Sequence, residues 1–423
     1  MTKSDPVILL SADALRADHL SCYGYERETS PVLDEFAEES IQFTDAYSAS
    51  SHTREAVPAL LTGEYPDCAI DSSYRLATDT LASTLSSKGF ATGGFHSNPF
   101  VSRAYGFDRG FDEFDDDLHF GEHKFVALAQ RALDKLRNRH YARADEINER
   151  SLSWLDSVRD DGPFFLWNHY MDTHGPYEPP DEYRNLYTDT DISDRDAQSL
   201  YQRAIKDPES ITDTERELLI DLYDAEIRYN DAKIGAFFEE LRDRELFDQS
   251  LLIVTADHGD AFGEHGYYEH PRYLHDEITH VPLLVRPPGG ADRSVSRPAS
   301  TLDVAATVGQ AVGTGEQYEG TSLLDLRDRS DDDRTVFLQA RGEKGDDGLR
   351  RYASRTRTGA CFCERDRETD SLEFADCTSR SLRTELEEHV EERVRRENGV
   401  EQSDDGEVDE EIERRLSALG YRE

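Results

Sequence analysis

The chain has 423 residues, of which 36% are hydrophobic, so it can bury one large core or two smaller ones without disulfides or a structural metal. Its 90 acidic residues outnumber its 48 basic ones, which gives a net charge of −42 at pH 7. A surface this acidic repels nucleic acid and anionic membranes, so we expect neither as a partner.

This negative charge is spread over the whole sequence rather than gathered in one tail. Dense carboxylates that are screened by salt keep proteins soluble in a high-salt cytoplasm, so the composition indicates a halophilic habitat. The amino terminus leads directly into an apolar run and lacks an apolar region that ends in a small-residue cleavage site. No apolar run reaches the roughly 18 residues of a membrane span. We therefore expect a cytoplasmic protein.

Two apolar runs end in acidic residues. Residues 6–13 (PVILLSAD) and 253–258 (IVTADH) both predict a buried strand that delivers polar side chains at its carboxyl end. If the two strands are neighbours in a parallel sheet, Asp13, Asp257 and His258 converge there. Carboxylates with an imidazole suit a divalent cation such as Mn²⁺, Zn²⁺ or Mg²⁺. The competing interpretation is a strand end with a solvated Asp and a hydrogen-bonded His.

A hydroxyl-rich loop at residues 50–53 runs into a short helical segment that stops at Gly63. Such a junction presents free backbone N–H groups and a hydroxyl where an anion can dock. Residue type alone favours Thr53 as the N-cap of this helix rather than as a nucleophile. Ser50 and Ser51 are alternative sources of the hydroxyl.

Helices and strands alternate along the rest of the first 330 residues, as in an α/β protein. Ser30 followed by Pro31 predicts the N-cap and first residue of a helix. Further along the chain we predict a helix at 80–89, strands at 91–95, 164–170 and 281–285, and a long helix at 215–245 in which Asp231 is structural. Residues 181–213 are polar and weakly periodic, which predicts a lid or insertion over the site.

The five cysteines are an odd number, which argues against a fully paired disulfide framework. The spacing of Cys361, Cys363 and Cys377 resembles that of a metal-binding knuckle, but no fourth Cys or His lies at a matching spacing. We expect reduced thiols.

Several segments, taken together and in order over about residues 6–330, resemble the sulfatase and alkaline-phosphatase superfamily. They are residues 13–24 (DALRADHLSCYG), 30–34 (SPVLD), 60–63 (LLTG), 163–166 (PFFL), 174–177 (HGPY), 255–260 (TADHGD), 263–266 (GEHG) and 281–285 (VPLLV). The resemblance implies an α/β fold: an alkaline-phosphatase-like mixed, mostly parallel sheet sandwiched by helices, with a small C-terminal α+β subdomain. It implies a catalytic domain at 1–330 and an antiparallel subdomain at 331–382, and we expect a charged helical or partly disordered tail at 383–423.

The resemblance also implies that Asp13, Asp257 and His258 bind one divalent metal, Mn, Zn, Ca or Mg, together with the nucleophile. Sulfatases carry a Cys-x-Pro-Ser-Arg motif, or its Ser version, whose first residue is oxidised to formylglycine. Counting back ten positions from Gly63 leads to Thr53, and the Pro, Ser and Arg of that motif are absent after it. Thr53 is therefore the predicted nucleophile and fourth metal ligand.

A threonine in place of the sulfatase Cys or Ser changes the chemistry that we expect. A formylglycine hydrate expels sulfate by collapsing to an aldehyde, which a plain threonine cannot do. A phosphothreonine, by contrast, is opened by water or an acceptor alcohol, and Thr nucleophiles look like those of the phosphodiesterase and phosphoglycerol-transferase branches. We therefore favour a hydrolase of phosphate esters, whether phosphodiester, phosphomonoester or phosphonate. The alternatives are a sulfuric ester hydrolase, a phosphoryl-group transferase and a non-catalytic binder of anionic glycans.

The remaining site residues also follow from the resemblance. Arg54 would neutralise the equatorial oxygens, and His174 would contact the ester oxygens or protonate the leaving group. His270 falls where sulfatases carry a substrate-contacting Lys, so an imidazolium would replace that cation. Asn98 follows a strand where family members contact the bound anion, although a turn-forming Asn is the simpler interpretation. The expected substrate is an anionic ester, either a small molecule or linked to a glycan.

Overall fold

The computed structural model of the protein describes residues 5–117, 141–327, 334–343, 346 and 348–397. Its strands, in chain order, are β1 (Val7–Ala12), β2 (Ile41–Phe43), β3 (Ala46–Tyr47), β4 (Ala91–His96), β5 (Glu113–Asp115), β6 (Phe164–Tyr170), β7 (Leu251–Ala256), β8 (Ala261–Phe262), β9 (Tyr268–Glu269), β10 (Leu283–Arg286), β11 (Arg293–Val295), β12 (Ala299–Ser300), β13 (Val336–Arg341), β14 (Leu349–Thr356), β15 (Gly359–Asp366) and β16 (Leu372–Ala375).

Helices surround these strands. Within the described residues they are α1 (Pro31–Glu38), α2 (Thr53–Thr62), α3 (Pro66–Ala69), α4 (Leu81–Ser87), α5 (Ala144–Val158), α6 (Asp181–Arg184), α7 (Asp194–Lys206), α8 (Asp213–Asp243), α9 (Asp276–Thr279), α10 (Leu302–Val312), α11 (Leu323–Leu326) and α12 (Arg380–Glu397). No helix among them is long and apolar enough to cross a membrane.

The central sheet has eight strands in the order β11-β2-β10-β7-β1-β6-β4-β5. Strand β1 pairs in parallel with β6 on one side and β7 on the other, and β10 runs antiparallel to β7. The register aligns Ala12 with Ala256, so the residues that follow these two strands meet at the same edge. The predicted mixed, mostly parallel sheet is confirmed.

Strand β1 is buried at every position because helices cover both faces of the sheet. Successive side chains point to opposite faces. Ile8 and Leu10 pack in the cluster that contains the apolar face of α8, whereas Val7 and Leu9 pack in the cluster formed with α2 and α10. A continuous apolar run, rather than an alternating one, is the pattern expected for such a strand.

Helix α1 begins at Pro31 as predicted, but its cap differs from the prediction. The side chain of Ser30 makes no capping hydrogen bond, because its hydroxyl donates instead to Asp34 Oδ1 at 2.9 Å. Asp231 of α8 caps the helix, accepting from the backbone N–H groups of Val32 (3.1 Å) and Leu33 (2.9 Å). The predicted structural role of Asp231 is therefore an N-cap supplied from a different helix.

Beyond the central sheet, β13 to β16 form a four-stranded antiparallel sheet, which agrees with the small C-terminal subdomain expected from the resemblance. Cys361 and Cys377 form a disulfide there, so the expectation of reduced thiols is wrong for this pair. The segment after β16 returns beside β15, where the Thr378 N–H donates to Ala360 O at 2.9 Å, and this return is not visible in the cysteine spacing. Cys363 is a free thiol.

The predicted domain boundaries and the lid at 181–213 stay predictions. The lid segment contains the short helix α6 and the longer α7. Residues 398–423 of the predicted tail lie outside the described residues, while α12 covers its first part.

Glu55, in the first turn of α2, contacts the C-terminal sheet. Its buried carboxylate forms an ion pair with the buried Arg272 and accepts from the backbone N–H of Arg341 at 3.0 Å.

We expect Glu55→Ala to lower the free energy of unfolding by about 3–5 kcal/mol, because it leaves the buried guanidinium of Arg272 without this carboxylate. Urea unfolding measures this loss. Glu35→Ala, an exposed position on α1, is the matched control and should change stability by less than about 0.5 kcal/mol. A similar effect of the two substitutions would contradict the assignment.

Candidate active site

Two carboxylates lie side by side at the carboxyl ends of β1 and β7. Asp13 follows β1, and its backbone N–H donates to Tyr170 O at 2.8 Å. Asp257 follows β7, and its Oδ1 accepts from the backbone N–H groups of Ala14 (3.2 Å) and His258 (2.8 Å). Both side chains are buried. The structure thus brings together two acids that the sequence places at the ends of separate strands.

His258 completes this group with an imidazole that faces both acids. Its Nδ1 lies 2.8 Å from Gly259 O, and the tautomer that donates there leaves a lone pair on Nε2. This Nε2 lies 3.5 Å from Asp13 Oδ1 and 3.6 Å from Asp257 Oδ2. One ligand atom from each of the three residues lies within 4.8 Å of the others.

The buried, converging lone pairs of Asp13, Asp257 and His258 indicate which ligand these three residues can bind. Asp13 Oδ1 accepts no hydrogen bond from the described residues, and it faces an imidazole lone pair. Buried acceptors that converge on one point need positive charge between them. A divalent cation fits this need, and two carboxylates with one imidazole suit Mn²⁺, Zn²⁺, Ca²⁺ or Mg²⁺. Asp13, Asp257 and His258 therefore form a candidate metal centre.

Thr53 lies at the start of α2 and points into the same centre. Its Oγ1 is 3.0 Å from His258 Nε2, and the residue is buried. The interpretation of Thr53 as an N-cap is wrong, because His52 occupies the cap position and its Nδ1 accepts from the Arg54 N–H at 3.1 Å. Of the alternative hydroxyls, that of Ser50 donates to Glu55 at 3.2 Å.

Two neighbours hold the second oxygen of Asp13. Asn98 donates its side-chain amide to Asp13 Oδ2 at 2.6 Å, and His169 Nε2 lies 3.3 Å from the same oxygen. The Oδ1 of Asn98 also accepts from the Phe100 N–H at 2.8 Å, so Asn98 forms the turn as well. Burial raises the pKa of Asp13, but nearby His174, the bond to His169 and nearby His258 outweigh it and lower that pKa well below its usual range.

His169 lies beside Asp13, although sequence analysis assigned it no role. It lies on β6 opposite Ser11 of β1, whose hydroxyl is 2.9 Å from His169 Nδ1. The signal was its location next to the last residue of a fully buried strand, but only the pairing of β6 with β1 directs it towards Asp13. His52 was missed as well, and its ring centroid is 5.3 Å from that of His270.

His174 and His270 form a pair beside the metal centre, with their Nε2 atoms 3.1 Å apart. His174 Nδ1 also lies 2.6 Å from Gly175 O. Burial lowers the pKa of His174, but Asp13, Asp260 and Glu269 outweigh it and raise that pKa above its usual value. Burial, His258 and His174 hold the pKa of His270 well below the usual range. A cationic His270 stays a prediction, and this environment favours the positive charge on His174 instead.

Arg54 follows Thr53 in the first turn of α2. Its guanidinium carbon lies 4.2 Å from the ring centroid of Phe100 and 4.9 Å from that of Tyr74. Aromatic faces attract a cation and fix its position. The roles of Arg54 and Asn98 towards a substrate stay predictions.

Comparison with known proteins places this geometry in a family. The family model described as Sulfatase matches residues 6–314, which is more than half of the chain. The chain belongs to the sulfatase family. The resemblance drawn from the sequence motifs is therefore confirmed.

Sulfatase-family relatives include proteins from bacteria and mammals. The protein named uncharacterized sulfatase YidJ of Escherichia coli is 24% identical over 335 residues, covering 71% of this chain and 66% of that protein. Human iduronate 2-sulfatase is 25% identical over 334 residues, covering 67% of this chain and 60% of that enzyme. The chain thus spans less than two-thirds of the length of these curated relatives.

Solved structures of sulfatase-like proteins share the fold. The phosphonate monoester hydrolase of Agrobacterium radiobacter aligns over 93% of this chain and 95% of its own, with a TM-score of 0.69 and 18% identity. A protein solved in complex with its substrate D-glucosamine-2-N,6-O-disulfate aligns over 94% and 99%, with a TM-score of 0.70 and 16% identity. At these identities the likeness supports the fold alone.

Proposed function

We propose that this member of the sulfatase family is a metal-dependent hydrolase of phosphate esters that works through a covalent threonine intermediate. The observation that carries the proposal is the position of Thr53, whose hydroxyl lies 3.0 Å from His258 Nε2 in the candidate metal centre. The nucleophile position thus holds a plain hydroxyl, which can form and release a phosphoryl ester.

In the first step the ionised Thr53 hydroxyl, its proton lost to solvent, attacks phosphorus. A bond forms between Thr53 Oγ1 and phosphorus while the bond from phosphorus to the leaving oxygen breaks. His174 gives a proton to that oxygen, so an alcohol departs and the imidazole becomes neutral. Arg54 offsets the negative charge on the remaining phosphoryl oxygens.

In the second step neutral His174 takes a proton from water as the water oxygen bonds to phosphorus. The bond from phosphorus to Thr53 Oγ1 breaks, and the ionised hydroxyl and protonated His174 are restored. His270, whose Nε2 lies 3.1 Å from His174 Nε2, positions this imidazole before its Nε2 proton moves to the leaving oxygen. A divalent ion bound by Asp13, Asp257 and His258 would supply the positive charge that lowers the pKa of Thr53.

A sulfuric ester hydrolase is the second candidate, and the names of the relatives favour it. Human iduronate 2-sulfatase and human arylsulfatase A both match this chain in sequence. Such an enzyme would have to release sulfate from Thr53 without the aldehyde route of formylglycine.

A phosphoryl-group transferase is a further alternative. It would share the first step of the proposed hydrolysis, and an acceptor alcohol would replace water in the second. A glycan-binding protein without catalysis has no need of the three converging metal-binding residues.

A panel of esters with one leaving group separates these candidates. We would compare 4-nitrophenyl phosphate, bis(4-nitrophenyl) phosphate, a 4-nitrophenyl phosphonate and 4-nitrophenyl sulfate, each with added Mn²⁺, Zn²⁺, Ca²⁺ or Mg²⁺. We expect the highest kcat/KM for one of the phosphorus esters. Faster release of sulfate would overturn the proposal in favour of the second candidate, and no turnover with any metal would favour the binding protein.

The role of His174 gives a further prediction. We expect His174→Ala to lower kcat for an alkyl phosphate ester by roughly 10²- to 10⁴-fold, because a poor leaving group needs its proton. The loss should be smaller for a 4-nitrophenyl ester, whose leaving group departs as a stable anion. Steady-state kinetics on both esters measure the difference. An equal loss on the two esters would indicate that His174 only positions its neighbours.

A further inference from the structure

Tyr201 of helix α7 lies against the backbone at Gly175, the residue that follows His174. A Cβ atom at position 175 would lie 2.1 Å from Cζ of Tyr201 and 2.3 Å from its hydroxyl oxygen, well inside van der Waals contact. Tyr201 is buried, with 2% of its surface exposed. Glycine lets the ring approach the backbone this closely. The end of the Tyr201 ring therefore fills the space where any other residue type at position 175 would place its side chain.

Gly175 in turn affects the orientation of the His174 imidazole. The carbonyl oxygen of Gly175 lies 2.6 Å from His174 Nδ1. An imidazole that donates from Nδ1 to a backbone carbonyl is held in one orientation, with Nε2 as the atom that takes part in proton transfer. The carbonyl group and the Cα atom of Gly175 share one rigid peptide plane. A contact at this Cα atom therefore limits where the carbonyl can move, and with it the imidazole.

One face of α7 contacts the loop of residues 174–178. The ring of Tyr201 also packs edge-on against that of Tyr177, with centroids 5.3 Å apart. Gln198 donates its side-chain amide to the carboxylate of Glu178. Gln198 and Tyr201 are three positions apart, so they lie on the same side of the helix. Helix α7 thus holds this loop at positions 175, 177 and 178.

Glu226 of helix α8 and Arg143 hold the far end of the same loop. The backbone N–H of Glu178 donates to Glu226 Oε1 at 3.0 Å, and Arg143 Nη1 donates to Glu178 O at 3.0 Å. The buried carboxylate of Glu226 also pairs with the guanidinium of Arg143. These bonds fix the loop at Glu178, whereas Tyr201 fixes it at the residue directly after His174.

We propose that Tyr201 is a positioning residue for His174, because its ring on Gly175 fixes the carbonyl that orients the imidazole. This inference rests on the proposed function, in which His174 gives a proton to the leaving oxygen. Proton transfer needs the donor atom within hydrogen-bond reach of that oxygen, so a displaced imidazole slows it. The proposal gives α7 a part in turnover, and it holds for phosphorus and sulfur esters alike.

Replacing Tyr201 tests this role through the leaving group. We would assay an alkyl ester and a 4-nitrophenyl ester of the class that turns over fastest in the ester panel. We expect Tyr201→Ala to lower kcat for the alkyl ester by on the order of 10²-fold, since a misplacement of about 1 Å can cost that much. KM should change little, and the 4-nitrophenyl ester, whose leaving group departs without a proton, should lose far less. Tyr201→Phe keeps the ring on Gly175 and should retain kcat near the wild-type value on both esters.

Leu200→Ala is the matched control. Leu200 is also buried on α7, but it points about 100° away from Tyr201 around the helix axis. Its truncation removes packing from the same helix and leaves the ring on Gly175. Any loss of kcat should be equal on the two esters, because a general loss of packing does not distinguish leaving groups. A loss on the alkyl ester as selective as that of Tyr201→Ala would overturn the assignment to Tyr201.

Gly175→Ala tests the same contact from the backbone side. Its methyl group would collide with the Tyr201 ring, so this variant should also slow the alkyl ester selectively. In the Tyr201→Ala background the space is empty, and adding Gly175→Ala should lower kcat far less than it does in the wild-type chain. Such non-additivity is expected of residues in direct contact. Independent effects of the two substitutions would overturn the proposal.

His174→Ala, assayed on the same two esters, separates a failure of this inference from a failure of the proposed function. An equal loss on both esters with His174→Ala would remove the proton-donor role itself. A selective loss with His174→Ala, together with none in Tyr201→Ala, would overturn the role of Tyr201 alone. If Tyr201→Ala does not fold by circular dichroism, Gly175→Ala decides the matter, and unchanged kcat on both esters would refute the positioning role.

Discussion

Replacing Thr53 by Ala should lower kcat/KM for the preferred phosphate ester by on the order of 10⁴-fold or more, because it removes the only group proposed to attack phosphorus. Thr53→Ser keeps a hydroxyl at the same position and should retain measurable turnover. Both variants are assayed at saturating metal, since Thr53 is also a predicted metal ligand. Initial rates measured over a range of ester concentrations give kcat/KM for the wild type and for both variants.

The matched control for this experiment is Thr62→Ala at the other end of α2. The Thr62 hydroxyl donates to Pro58 O at 2.7 Å and has no role in the proposed chemistry, so kcat/KM should stay near the wild-type value. Acid quenching during turnover should also trap one phosphoryl group on Thr53, detectable by peptide mass spectrometry. Full activity of Thr53→Ala on every ester tested would rule out the covalent route.

Replacing Asp257 by Asn should abolish metal binding at the candidate metal centre and turnover with it. In the wild-type protein, metal at 100 times its Kd should raise the free energy of unfolding by about 2.7 kcal/mol. The variant should lose the stabilisation that metal gives at the candidate metal centre. Without metal, however, it should be at least as stable as wild type, because Asp13 and Asp257 then no longer repel each other as buried like charges. Thermal unfolding with and without Mn²⁺, combined with metal analysis, measures both effects.

Asp18→Asn serves as the control for Asp257→Asn. Asp18 follows Asp13 closely in the chain, but its half-exposed carboxylate pairs with Arg16. This variant should keep both the metal and the activity. Retention of stoichiometric Mn²⁺ by Asp257→Asn would mean that the candidate metal centre has been assigned to the wrong residues.

The parts of the site that could be predicted are those that local pattern determines. A mostly apolar run followed by an acid marks a buried strand and its carboxyl end, which is why Asp13 and Asp257 were recognisable. The strand at 164–170 matches β6, and the long helix differs from α8 by two residues at each end. The registration of Thr53 came from the family motif; its hydroxyl lies beside His258 in the structure, and its role as nucleophile stays a prediction.

The parts that could not be predicted depend on contacts between distant segments. His169 reaches Asp13 only because β6 pairs with β1, and sequence alone does not give the order of strands. Strand β10 is antiparallel to β7, although its apolar composition resembles that of the parallel strands β1 and β7. The N-cap of α1 came from Asp231 of another helix, which no local capping rule can anticipate. The halophilic habitat, the cytoplasmic location and the substrate stay predictions.

The pairing of β1 with β7 has a consequence for how the protein is made. The Ala14 N–H donates to Asp257 across 243 positions of the chain, so the two acids of the candidate metal centre leave the ribosome far apart in time. A nascent chain that ends before β7 lacks the strand that pairs with one edge of β1, and it lacks Asp257 and His258 as metal ligands. Metal loading should therefore be a late event in biogenesis, following synthesis of more than half of the polypeptide.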